Sequence, residues 1–177
     1  MILYVIPTPE NILERKHRVA GWRMVMLDRA ASKRLQDMAK HLKDSGAARV
    51  LCSDLDEEAG RILGRELKLP VKAEFSLRRF NFGRHHAAPE DKANDILQEL
   101  ETKWEKNPAI PIRGGDSWMS FEKRFVKAIK NLLDQDGTSI LATDVRMVGV
   151  IRDNFTRHSL VQNGNAPKRT SIYKVEK

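Results

Sequence analysis

"ILYVIPTPE", residues 2–10, decides how the rest of the chain is read. Five apolar residues, Ile2 to Ile6, run without a break into Pro7-Thr8-Pro9. A short apolar run that stops at turn-forming residues reads as a strand buried on both faces, as in a parallel sheet covered by helices on each side. In such sheets ligands collect beyond the carboxyl ends of the strands. Pro7, Thr8 and Pro9 therefore stand where function is expected, and two of the three are residues that cannot donate a backbone hydrogen bond.

Working outward, "ARVLC" (48–52) and "TSILAT" (138–143) repeat the pattern of a buried strand, and "LPVKAEF" (69–75) is a weaker version interrupted by Pro70. The tail "TSIYKVE" alternates apolar and polar residues, as an edge strand does. Helical spacing fills the gaps. In residues 28–44 Asp28 can cap, Leu35, Met38, Ala39 and Leu42 share a face, and Gly46 lies just past the end. Residues 56–67 begin with acids that suit a helix N-terminus. Residues 90–105 are polar and helical, 117–135 carry a wide apolar face, and a further helix starts near Val145. Residues 77–90 and 107–115 read as loops. Strands alternating with helices predict an α/β fold, a three-layer α/β/α sandwich on a mainly parallel sheet. With no repeat, low-complexity tract or linker, one domain over residues 1–177 is expected.

The 177 residues are 41% hydrophobic and 32% charged, which excludes a disordered chain, and no apolar run approaches a membrane span. No signal peptide is read at the N-terminus, and the single cysteine, Cys52, excludes an intramolecular disulfide framework and suits a reducing, cytoplasmic setting. In "ARVLC" a buried, inert thiol is expected. The net charge of +8 allows a nucleic-acid partner, but Lys and Arg are spread along the chain in the way of a solvated basic surface. Dinucleotide, P-loop and nucleophile-elbow motifs are missing. The five histidines have no metal-ligand spacing, and His85-His86 read as exposed loop residues. "RRFNFGRHH" (78–86) interleaves basic and aromatic residues like an RNA-stacking stripe, but it lies in a loop and lacks the RNP1 pattern.

Taken in order, the segments resemble the histidine phosphatase superfamily, with its phosphoglycerate-mutase-like fold. Its members open on a strand ending in Arg-His-Gly-Glu, followed by a loop with Asn, Arg and Gly. Here "LYVIPTPENILERKHRVAG" and "MLDRAASKRLQDMAKHL" follow that layout and keep Glu10, Arg18, Gly21 and Leu27. "CSDLDEEAGRIL" resembles the Ser-x-Leu-x-Arg-Ala helix, "LRRFNFG" the Leu-x-Glu-x-x-x-Gly loop, and "RGGDSWMSFEKRF" the Gly-Gly-Glu-Ser segment. "ILATDVRMVGVI" resembles the strand that ends in the second family histidine.

The resemblance implies a phosphohistidine chemistry that these residues do not support. In the family a neutral imidazole attacks phosphorus, cations hold the developing charge and a carboxylic acid protonates the leaving group. The nucleophile position holds Thr8, the arginine before it is Pro7, and the glycine after it is Pro9. The loop asparagine corresponds to Glu14, the second arginine falls near Glu57, the acid is replaced by Arg79, and the second histidine by Asp144. Loss of a nucleophile alone costs hydrolases about 10⁶ in rate. The expectation is a degenerate member without catalytic residues, acting as a binding or structural protein, with Arg79 neutralised by Glu57 or Asp144. A sharper expectation is a mildly acidic pocket that accepts a cationic group or a metal ion. A residual or metal-assisted phosphoesterase is the alternative, using Thr8, or Asp144 with Glu14. A second alternative is nucleic-acid binding. The basic contacts considered are Arg18, Arg79, Arg84, Lys168 and Arg169. No cofactor and no resident metal are expected, and the expected partner is a protein, without a membrane.

Overall fold

The computed structural model describes residues 1–155 and 171–176. The chain runs β1 (Ile2–Pro7), α1 (Ile12–Arg15), α2 (Arg29–Lys40), β2 (Arg49–Cys52), α3 (Glu57–Leu67), β3 (Val71–Ala73), α4 (Glu90–Trp104), α5 (Trp118–Leu133), β4 (Thr138–Thr143), α6 (Val145–Phe155) and β5 (Tyr173–Glu176). Two short 3-10 turns, Phe75–Leu77 and Gly83–His85, interrupt the loop between β3 and α4. The strands form one sheet in the order β3-β2-β4-β1-β5. All neighbours are parallel except β5, which runs antiparallel along β1. This is the expected α/β architecture, with the tail as its edge strand.

Side-chain alternation explains the three layers, because successive residues of a strand point to opposite faces. Leu3 and Val5 of β1, Leu51 of β2 and Leu141 of β4 join one buried cluster with Leu100 and Trp104 of α4, Phe121 and Phe125 of α5, and Ile151 of α6. Ile6, Val50, Cys52, Ile140 and Ala142 join the other with Leu35 of α2 and Leu63 of α3. The apolar runs in the sequence are continuous because both faces are covered.

Pro7 belongs to β1 and does not merely stop it. It stands in register with Thr143, and the Thr8 N–H donates to the Thr143 carbonyl at 2.7 Å. Ile2 donates on the same side, to Gly137, so the odd residues of β1 face β5. The β5 ladder ends at the Val5–Tyr173 pair. Pro7 thus lacks its N–H where no ladder partner among the described residues would receive it, as sheets require of a proline.

Other boundaries moved. β3 is three residues long instead of seven, and α2 ends at Lys40. The expected 28–44 helix runs into turns that reach Gly46, where φ is +70°. Asp28 caps α2 as expected, its side chain accepting the Ala31 N–H at 2.7 Å. α1 lies in a stretch for which no helix was expected. The signal was there in Asn11-x-x-Glu14, a reciprocal cap in which Asn11 accepts from Leu13 and Glu14 while Glu14 accepts the Asn11 N–H.

The glycines of α3 set how closely it approaches the sheet. A Cβ on Gly64 would stand 2.3 Å from a methyl of Val71 and 2.9 Å from the Leu69 carbonyl. Gly64→Ala is expected to destabilise the fold by about 1–3 kcal/mol through this overlap, outweighing the roughly 1 kcal/mol that alanine gains over glycine in a helix. The check is a lower midpoint in urea at unchanged slope. Cys52 is fully buried beneath α3, and burial pushes its thiol up to about 12. A thiol reagent should label it only after denaturation; labelling of the native protein at the rate of a free thiol would contradict its burial.

Candidate functional site

The carboxyl end of β4, the segment after β2 at the start of α3 and the loop after β3 converge on one guanidinium. Arg79 is 5% exposed. One of its terminal nitrogens donates to Asp56 Oδ1 at 2.9 Å, and the other stands 3.9 Å from Asp144 Oδ2. Asp56 and Asp144 are as deeply buried as Arg79. Asp144 follows β4 and also accepts the Arg146 N–H at 2.7 Å, so one carboxylate starts α6 and faces Arg79. Asp56 precedes α3 but makes no cap bond to it. Its carboxylate instead takes Arg79 and the Ser53 hydroxyl, at 2.6 Å. Burial pushes the Asp56 carboxyl above its ordinary value of 3.8, and the charge of Arg79 and the Ser53 hydrogen bond pull it back.

A second arginine holds the loop that carries Arg79. Arg124 of α5 donates to the carbonyls of Arg78 at 2.6 Å, Ser76 at 3.2 Å and Arg79 at 3.3 Å, and to Asp116 at 3.1 Å. The Trp22 indole N–H donates to the Arg79 carbonyl at 2.7 Å. Arg78 turns outward, where its guanidinium forks onto Asp54 and lies over the rings of Trp22 and Phe75. Farther along, Gly83 takes φ +53°, and a Cβ there would meet the Arg113 carbonyl at 2.3 Å, so the two loops pack backbone against backbone.

Beside Arg79 opens a cavity of about 580 Å³. Its walls are aromatic and apolar: Phe80, Phe82, Trp104, Trp118, Phe121 and Met147. The rings tile edge to face or tilted, with centroids of Phe80–Trp104 at 5.7 Å, Phe80–Phe121 at 5.5 Å, Trp118–Phe121 at 5.6 Å and Trp104–Trp118 at 6.1 Å. Its charged lining is Glu14, Glu90, Glu101, Glu105 and Asp144 against Arg18, Arg79 and Arg146. Arg146 pairs with Glu90 at 3.3 Å, and Arg18 donates to the Ala87 carbonyl at 2.6 Å. The backbone of residues 17–19 zips onto 87–90, which brings the α1 loop to the mouth beside α4.

Thr8, Glu14, Arg79 and Asp144 were expected to share a site, and the structure brings only three of them to the cavity. Thr8 is buried along a separate crevice with Pro9, Asn11, Val25 and Asp56. Glu57 does not meet Arg79: it pairs with Arg61 one helical turn on, at 2.5 Å, and Asp56 takes the expected place. The two differ by one position at the head of α3, and an aspartate there reads first as a helix cap, so nothing in the sequence separated them. Arg124, Asp116 and the aromatic wall were not anticipated. Of the basic contacts, Arg18 lies at the cavity mouth, Arg84 is exposed, Arg79 is buried, and Lys168 and Arg169 lie outside the described residues. Phe80 and Phe82 are 7% and 5% exposed, so neither phenylalanine of "RRFNFGRHH" is free to stack on a base. His86 is half-buried and accepts the Trp22 N–H at 3.1 Å, and burial together with Arg23 and His85 holds its ring below the ordinary histidine range. It is a structural acceptor and not an exposed loop residue.

A mainly parallel sheet with helices on both faces and a cavity beyond its strand ends defines a doubly covered α/β domain. The chain belongs to the histidine phosphatase superfamily (branch 1), whose family model matches residues 9–162. Comparison with curated proteins finds no sequence match. Among solved structures the chain is similar to YhfR of Bacillus stearothermophilus, at a TM-score of 0.80 and 17% identity, covering 99% of this chain and 90% of the other. It is similar to a phosphoglycerate mutase from Bacillus anthracis, at 0.76 and 19%, covering 98% and 86%. It is also similar to a mycobacterial glucosyl-3-phosphoglycerate phosphatase, at 0.70 and 16%, covering 99% and 97%.

The buried triad makes a stability prediction with a sign in pH. Arg79→Ala leaves burial and Asp144 acting on Asp56 without the guanidinium, so the Asp56 carboxyl rises further. The folded variant then holds a proton that the unfolded chain has released, and stability falls as pH climbs from 3.8 through the raised value. Removing one partner of a buried pair costs about 3–5 kcal/mol. Urea unfolding should show that loss near neutral pH and a clearly smaller one in mild acid. An equal loss at both would mean that Asp56 stays charged without Arg79.

Proposed function

We propose that this chain is a non-catalytic histidine phosphatase domain that acts as a binding protein, with the cavity beside Arg79 as its ligand site. The observation that carries this reading is the state of Arg79. The Arg79 guanidinium, buried at the strand ends, is already engaged by two carboxylates, Asp56 and Asp144. A phosphoryl group entering there would meet Asp144 and Glu14 instead of a cationic cradle. Stabilisation of a phosphoryl transition state depends on positive groups aimed at the developing charge, and this lining supplies the opposite sign. Thr8 stands outside the cavity wall, in the crevice it shares with Asp56. The names of the similar structures include a mutase and a phosphatase. Their likeness to this chain is one of fold, and fold does not carry the chemistry with it.

The alternative is a metal-assisted phosphoesterase, favoured by the presence of both Asp144 and Glu14 in the cavity lining. Among the described residues no group of three or more His, Cys, Asp or Glu side chains is arranged to hold a metal ion. One experiment separates the two. The protein is incubated with p-nitrophenyl phosphate and with 3-phosphoglycerate, each with chelator and with Mg²⁺ or Mn²⁺. The expected rate is that of buffer in every arm. Turnover that disappears in Asp144→Asn or Thr8→Val would establish an enzyme and remove the non-catalytic reading.

A further inference from the structure

We infer that the cavity beside Arg79 takes an organic cation, an ammonium group on an apolar or aromatic body, and not a phosphate ester. This rests on the reading of the cavity as a binding site and names the chemistry of its ligand.

Three observations carry it. The first is the charge left over after internal pairing. Arg79 is taken by Asp56 and Asp144 and Arg146 by Glu90; Arg18 donates to a backbone carbonyl and keeps its charge, but five carboxylates against three guanidiniums leave the lining net negative. Glu101 and Glu105 make no ion pair among the described residues, and both are exposed at the mouth. They sit one turn apart on the α4 face that borders the cavity, a spacing at which like charges repel. A cation seated between them relieves that repulsion. The negative mouth is a local exception on a chain whose net charge is +8.

The second is what lies directly behind those carboxylates. Trp104 is 9% exposed and Trp118 36%, with Phe80 and Phe121 behind them. Trp104 is fixed by its indole N–H, which donates to the Ile110 carbonyl at 2.7 Å. Faces of Trp and Phe attract cations through the ring quadrupole, and Trp does so most strongly. Carboxylates outside and rings inside form the arrangement that recognises a weakly hydrated ammonium. The space is of the size small-molecule sites require.

The third is the Nε–H of Arg79. It is buried and has no hydrogen-bond partner, although Arg79 lines the same cavity. An unpaired buried donor is costly to keep. No water reaches it, so the Arg79 side chain must turn before this donor can meet a neutral acceptor, such as a hydroxyl or carbonyl oxygen, at the far end of the ligand from its ammonium.

The test is calorimetric titration at low salt with three probes of similar size: benzyltrimethylammonium, benzyl alcohol and phenyl phosphate. The cation is expected to bind saturably at one site, at least about tenfold tighter than the neutral probe, with no binding of the anion. Added salt should weaken it, because the mouth carboxylates are screened. Glu101→Gln with Glu105→Gln should weaken the cation about fivefold, and Trp118→Ala about tenfold. All three positions are exposed, and an unchanged urea midpoint verifies folding. The inference is overturned if the cation shows no saturable binding, if phenyl phosphate binds as tightly, or if both variants bind the cation like the parent. Phosphoester turnover in the same preparation would instead defeat the non-catalytic reading, so the two failures are told apart.

Discussion

The pairing of Arg79 with Asp56 and Asp144 is the constraint on which the functional end of the molecule depends. It joins the segment after β2, the segment after β4 and the loop after β3 at one buried point. Three charges in so little water are tolerated only because each meets another, and removing any one leaves its neighbours uncompensated. The loop that brings Arg79 inward is held by the carbonyl bonds of Arg124, and the same loop carries Phe80 and Phe82 into the cavity wall. The geometry of the cavity wall is therefore set by the ion-pair cluster at its back.

The sheet and the main helices were legible because their signals are local. β1, β2 and β4 are unbroken apolar runs buried on both faces, and α2, α3 and α5 each carry a periodic stripe. β3 read as longer than it is because Pro70 and Glu74, both in the expected run, flank a strand whose three residues are all exposed. α1 was readable only as a capping pair, since four residues show no period.

The site was legible in its parts and not in its assembly. Asp144 at the end of β4 and Arg79 in the loop were recognisable as changed positions, and they do meet. That Asp56 and not Glu57 completes the cluster depends on which of two adjacent acids turns inward at a helix start. The aromatic wall draws on residues from 80 to 121 that come from a loop and two helices, and each alone reads as core. Identities of 17–19% with two of the similar structures, at TM-scores of 0.80 and 0.76, point the same way. The apolar pattern that specifies the layers is satisfied by many sequences, and it does not specify the side chains at the strand ends.

Pro7 occupies a ladder position whose hydrogen bond is not needed, and Pro9 follows where a backbone donor is absent too. A histidine in place of Thr8 would stand in the crevice next to Asp56, away from the cavity. A substitution of Arg79 or of Asp144 would first have to break the buried cluster and lose stability. Changing Arg79, Asp56 or Asp144 alone leaves a buried charge uncompensated, so the cluster can change at low cost only through paired substitutions.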